Sequence, residues 1–278
     1  MKLGLDISQH QLTWDEILER ARFAEQAGFD GVWVFDHFKA LYGDPKGPCF
    51  EGWTLLAALA AATSTVRLGT LVTGITYRHP SLLATEAVTV DHISNGRLEL
   101  AVGAAWFEQE HYELGFDFPP AAERIRRLDE AVEVMGLLMT TDGATFEGDF
   151  FRLGGASYNP KPLQRPRPPL WIGGGGENLM LPLVARRADV WHAFGDIDGI
   201  SRKIAIIDRE AERISRDPAS IRRATDLSLS EPWDEVRRRA AKLVELGVGY
   251  LTVSWPSEGR GRLEEFVDNV SDDIRALG

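Results

Sequence analysis

Cysteine is almost absent. The single one, Cys49, has no partner for an intrachain disulfide and excludes a zinc site built from several thiolates. Positive charge is also scarce. Lys and Arg number 31 against 42 Asp and Glu, so the formal balance is 31 − 42 = −11. A face for nucleic acid or an anionic membrane needs the opposite sign, so neither partner is expected. No run approaches the ~18 apolar residues of a membrane span, and Asp6 interrupts the apolar start before it reaches signal-peptide length. A cytoplasmic location is expected. The sequence contains no Gly-x-x-x-x-Gly-Lys-Ser/Thr loop and no Gly-x-Ser-x-Gly elbow, which removes the P-loop nucleotidases and the serine hydrolases. No His-x-His pair marks the first strand, and no metal site is expected. Hydrophobic residues at 44% and charged residues at 26% exclude disorder as the main state.

What is present is a regular alternation. Short apolar runs begin near residues 2, 31, 66, 97, 169, 189, 224 and 250, and amphipathic runs separate them. The clearest strands are Lys2 to Ile7, Gly31 to Asp36, Val66 to Thr73 and Arg97 to Gly103. The clearest helices start after Thr13 or Asp15, at Trp53, at Pro80 and at Ala122. A single long gap holds Ala144 to Leu153, which alternates around Glu147-Gly148-Asp149 as a hairpin does, and then a proline-rich connector from Pro160 to Pro169. The last helix is expected over Leu263 to Leu277. Eight strand–helix units predict an α/β fold of the closed (β/α)8 TIM-barrel type, with a hairpin inserted between strands 4 and 5. Residues 1–278 are expected to form one domain. An open doubly wound sheet would carry a glycine-rich loop after its first strand, and none follows Ile7.

In such a barrel the chemistry lies where the strands end. The second strand ends in Asp36-His37, either a polar pair facing a ligand or a capping Asp beside a loop His. The third ends around Thr70, Leu71, Val72 and Thr73, small or β-branched residues that allow close approach of a planar ligand. The fourth ends in Gly103, with Trp106 as a possible apolar wall. Glu108 and Glu110 follow, and a solvated helix face is expected for both. The fifth runs into Gly173-Gly174-Gly175-Gly176 and Glu177, then a helix. Free amides and the helix dipole make that loop a candidate phosphate site, the alternative being a flexible turn. The sixth ends at His192, either a ligand contact or an inert imidazole.

Several segments together resemble the luciferase-like monooxygenase superfamily, and within it the branch of oxidoreductases that use the deazaflavin coenzyme F420. They are Ala27 to Trp33 leading to Asp36-His37, Leu68 to Val72 with Tyr77-Arg78-His79-Pro80, Asp91 to Leu100, Val102 to Glu110, Lys161 to Pro169, and the glycine run. The resemblance implies a ring cofactor at the C-terminal mouth and a non-proline cis peptide at Thr70–Leu71 or Leu71–Val72. It implies a role for Asp36 and His37 at the cofactor or substrate, and for the glycine run at the cofactor's phosphate. On this reading His37 transfers a proton or polarises the substrate, and Asp36 orients it. Trp106 stands where sugar-phosphate dehydrogenases of the branch carry a glutamate general acid, which argues against that substrate. The expected activity is hydride transfer between F420 and a small organic substrate. FMN with a monooxygenase activity is the alternative, and a non-catalytic flavin-binding barrel the second. A homodimer is expected, with the helices near the second and third strands as its interface.

Overall fold

The structure, a computed structural model, describes residues 1–278. Nine parallel strand segments form one curved sheet. They are β1 (Lys2–Asp6), β2 (Gly31–Val34), β3 (Arg67–Thr70), β4 (Thr73–Gly74), β5 (Leu100–Gly103), β8 (Leu170–Gly173), β9 (Val190–His192), β10 (Arg222–Asp226) and β11 (Val248–Ser254). Their order is β3-β2-β1-β11-β10-β9-β8-β5-β4. The two ends of that order are halves of one strand. The apolar pattern runs unbroken from Val66 to Thr73, but the strand parts at Leu71–Val72, where the peptide bond is cis. A parallel bridge from Leu68 to Leu98 completes the ring. The nine segments therefore amount to the eight strands of a closed barrel, as expected. The cis bond falls at one of the two places that the resemblance implied.

The helices are α1 (Trp14–Gln26), α2 (Gly52–Ala62), α3 (Pro80–Ile93), α4 (Glu108–Leu114), α5 (Ala121–Thr140), α6 (Met180–Arg187), α7 (Ile197–Arg213), α8 (Trp233–Glu245), α9 (Arg260–Asn269) and α10 (Ser271–Arg275). Of the two cap candidates before α1, Thr13 does the capping, in a reciprocal box with Glu16. The long final helix that was expected is instead α9 and α10, parted at Val270 (φ −132°). The insertion is an antiparallel hairpin, β6 (Ala144–Glu147) with β7 (Arg152–Ala156). Glu130 on α5 holds the hairpin by accepting the amides of Asp149 and Phe150, and the buried Asp91 on α3 holds the connector after it by accepting those of Leu163 and Gln164.

Two cores result. Aliphatic side chains fill the space between strands and helices. Inside the barrel sit Trp33, Trp171 and Tyr250 with Ala101, Val190 and Ala224. Trp33 Nε1 donates to Tyr250 Oη at 3.0 Å, and Trp171 Nε1 donates to Glu99 Oε2 at 2.6 Å. Three bulky rings fit because the facing positions are glycine. A Cβ on Gly4 or Gly31 would collide with Tyr250 Oη, and one on Gly69 with the Trp33 ring. This aromatic plug closes the barrel interior and leaves the C-terminal mouth as the place for a ligand.

Candidate active site

A cavity of about 510 Å³ opens at that mouth. This lies within the ~300–1,000 Å³ range of pockets that take small ligands and cofactors. Val72 forms its floor. A Cβ on Gly103 or Gly173 would lie 2.7 Å from a Val72 methyl, so those two positions are glycine because Val72 occupies the space beside them. Leu71, Gly74 and Ala105 continue the floor and wall.

The structure brings most of the predicted residues here. Asp36, His37, Leu71, Val72, Gly103, Trp106, Gly173, Gly174, Gly175 and His192 all line the cavity. Four do not. Thr70 and Thr73 are buried and hydrogen-bond each other, and Thr73 Oγ1 also accepts Trp53 Nε1 at 3.1 Å. Gly176 and Glu177 lie past the cavity wall, and Glu177 pairs with Arg202 on α7.

Asp36 does not orient His37. Its carboxylate takes both ends of the Arg78 guanidinium, at 2.7 Å and 3.0 Å, and accepts the Gly74 amide at 3.0 Å. The partner of His37 is Glu110, whose Oε2 lies 2.9 Å from Nδ1. This carboxylate was expected in solvent and is fully buried instead. Phe107 at the cap of α4 and Glu110 and His111 within it face inward at helical spacing, Glu110 onto the loop after β2 and His111 onto Thr76 and Tyr77 after β4. Glu110 Oε1 accepts the amides of Phe38 at 2.9 Å and Lys39 at 3.1 Å, and Oε2 also accepts the Tyr77 hydroxyl. The only sequence signal was that spacing, which apolar residues would have made easier to read.

The electrostatics follow from these contacts. Burial pushes the Glu110 carboxyl upward, but hydrogen bonds from His37, Tyr77 and the Phe38 amide outweigh it, and the group ends below the usual carboxylate range. Burial lifts the Tyr77 phenol far above its ordinary value, and the Glu110 charge adds to this, so Tyr77 stays protonated and donates. Burial lowers His192 to about 4, so it is neutral near pH 7. Burial raises Cys49 to about 11 with help from Glu110, which makes it a thiol and no nucleophile. A carboxylate accepts hydrogen bonds and cannot donate, so His37 Nδ1 carries the proton. Nε2 has no partner within the protein and belongs to a ring that lines the cavity.

At the other side of the mouth the β8–α6 loop offers its backbone. Gly175 faces Lys203 of α7, whose Nζ stands 2.7 Å from where a Gly175 Cβ would be. Lys203 makes no ion pair with the chain's carboxylates, and no three metal-ligating side chains gather anywhere in the structure. No helix is long and apolar enough to cross a membrane.

The comparisons with known proteins place the fold in a family. An F420-dependent glucose-6-phosphate dehydrogenase of Amycolatopsis mediterranei is 33% identical over 190 residues, 68% of this chain and 54% of its own length. An FMNH(2)-dependent dimethylsulfone monooxygenase of Pseudomonas putida is 30% identical over 206 residues, 72% of this chain and 56% of its own length. The chain thus spans about half the length of these curated relatives. Among solved structures, an F420-dependent secondary alcohol dehydrogenase holding an F420–acetone adduct superposes with a TM-score of 0.88 at 22% identity, covering 99% of both chains. The F420-dependent tetrahydromethanopterin reductase of Methanopyrus kandleri gives 0.83 at 17%, covering 98% of this chain and 99% of its own. At those identities the superpositions speak for the fold alone. The family description that matches residues 1–269 carries the assignment: the chain belongs to the luciferase-like monooxygenase family.

Proposed function

We propose that the chain is an oxidoreductase, acting as one barrel domain, that binds the deazaflavin F420 and exchanges a hydride with a small organic substrate. The observation that carries the reading is His37. Each hydride that leaves or joins a carbon bearing oxygen must be matched by a proton at that oxygen. His37 Nε2 is the ring nitrogen without a protein partner in the cavity, and Glu110 holds the ring by Nδ1. Bound F420 would supply the two-electron hydride donor or acceptor. Leu71, Val72, Gly103 and Gly173 form an apolar floor that fits a flat ring, and the Gly175 amide, which has no partner within the protein, fits a phosphate together with Lys203. The family relatives named for F420 support this choice.

The second reading keeps the barrel and uses reduced FMN with oxygen as a monooxygenase. The Pseudomonas putida relative favours it. Titration of the protein with F420 and with FMN, each followed by its own fluorescence, separates the two. Binding of F420 with no saturable binding of FMN is the expected result. Saturable FMN binding, with oxygen consumed by the reduced complex, would replace the first reading by the second.

A further inference from the structure

We infer that the substrate taken at this mouth is a neutral molecule with a flat, apolar body and a single hydroxyl or carbonyl group, and that anionic substrates are turned away. The inference rests on the oxidoreductase reading only for the presence of a substrate at this site.

The first observation is charge. No Lys or Arg lines the cavity. The cations nearest its His37 side are already engaged. Arg78 is surrounded by Asp36, Glu51 and Glu86, and Lys39 pairs with Glu113. Arg124 donates to the carbonyls of Ala104 and Pro119 and lies over the Phe118 ring. Lys203, which makes no ion pair, stands at Gly175, across the mouth from His37, where the cofactor phosphate is placed above. A carboxylate or phosphate at the His37 side would meet the carboxylates of Asp36 and Glu110 and no cation that is not already paired. A charge left unpaired in such a site is strongly disfavoured.

The second observation is the surface. Tyr42 after β2, Trp106 after β5 and Phe194 after β9 are 71%, 65% and 65% exposed, and all three line this cavity. Exposed apolar area is unfavourable in water, and three large rings converging on one mouth make a binding surface. His37 itself sits among rings, with Trp106 at 5.8 Å, Phe107 at 6.0 Å and Tyr77 at 6.5 Å between centroids. His37 Nε2 is then the polar contact for the substrate's one oxygen. Trp106 stacks on Phe107 (5.1 Å, 23°), which presents its other face as a fixed wall.

Saturation-transfer NMR tests this on the whole protein, with and without F420. The probes are acetophenone, 1-phenylethanol and glucose 6-phosphate. Transfer to the two neutral aromatics, competed by each other, and none to the sugar phosphate is expected. Trp106→Ala should weaken the aromatics at least fivefold, while Trp106→Phe retains most binding. Both variants should fold, because Trp106 is largely exposed. Equal or stronger binding of glucose 6-phosphate overturns the inference, as does silence from the aromatic probes or indifference to Trp106→Ala. Aromatic binding in a protein that fails to bind F420 removes the cofactor reading and leaves the substrate class standing.

Discussion

Glu110 touches no solvent, yet its charge is the better-satisfied state, because four donors converge on two oxygens. That makes it the positioning residue of the site and His37 the group that meets substrate. His37→Ala is expected to lower kcat by at least ~10²-fold with cofactor Kd little changed, and added imidazole should restore part of the rate. Glu110→Gln should lower kcat by about tenfold without rescue by imidazole. Turnover within twofold of the parent in His37→Ala would remove it from the mechanism. The pair Asp36-His37 was legible in the sequence, but their partners were not. A carboxylate after an exposed Trp106 reads as solvated, and the Arg78 that claims Asp36 lies far along the chain. Asp6 teaches the converse lesson. Burial raises its carboxyl from an ordinary 3.8 to about 7, so the folded state binds more protons than the unfolded one between those values. Its contribution to stability is therefore fully present below pH 3.8 and lost as pH rises toward 7. Asp6→Asn should raise the Tm relative to the parent at pH 8, by an amount that shrinks toward pH 4. A Tm difference independent of pH would contradict this.

At the scale of elements, the alternation of strands and helices was readable because buried parallel strands are short apolar runs between amphipathic ones. The break between β3 and β4 was not readable from pattern, since Thr70 to Thr73 are apolar or β-branched throughout and continue the strand signal. What decides there is contact. The hydroxyls of Thr70 and Thr73 find each other and Trp53, and Val72 is left to the cavity floor. The helix at Glu108 and Glu110 was expected, but its buried face was not, because that face is polar. The β8–α6 loop carries its own prediction. A side chain on Gly175 meets only the flexible end of Lys203, so Gly175→Val should fold. It should nevertheless weaken cofactor binding at least tenfold, ~1.4 kcal/mol, by covering the amide and displacing the ammonium. Unchanged affinity in that folded variant would retire the phosphate role of the loop.

For the molecule as a whole, the net charge of −11 is spread unevenly. The exposed positions of α2 and α3 carry no Lys, Arg, Asp or Glu: Thr54, Ala58 and Ala61 on one, Leu82, Thr85, Thr89, His92 and Ile93 on the other. The hydroxyls of Thr85 and Thr89 bond back to their own helix, which makes that surface more apolar still. We expect these faces to meet across a homodimer, and a monomeric mass by light scattering at micromolar concentration would contradict it. The aromatic plug has a consequence of another kind. Trp33 and Trp171 hold their indoles 4.7 Å apart at 61°, a separation and skew at which two identical chromophores couple. Their far-ultraviolet circular dichroism should therefore appear as a couplet of opposite signs, superimposed on the helix signal. Both rings belong to strands on different sides of the barrel, so the couplet reports closure of the ring itself. It should survive the addition or removal of any ligand at the mouth and disappear when Trp171 is replaced by Phe.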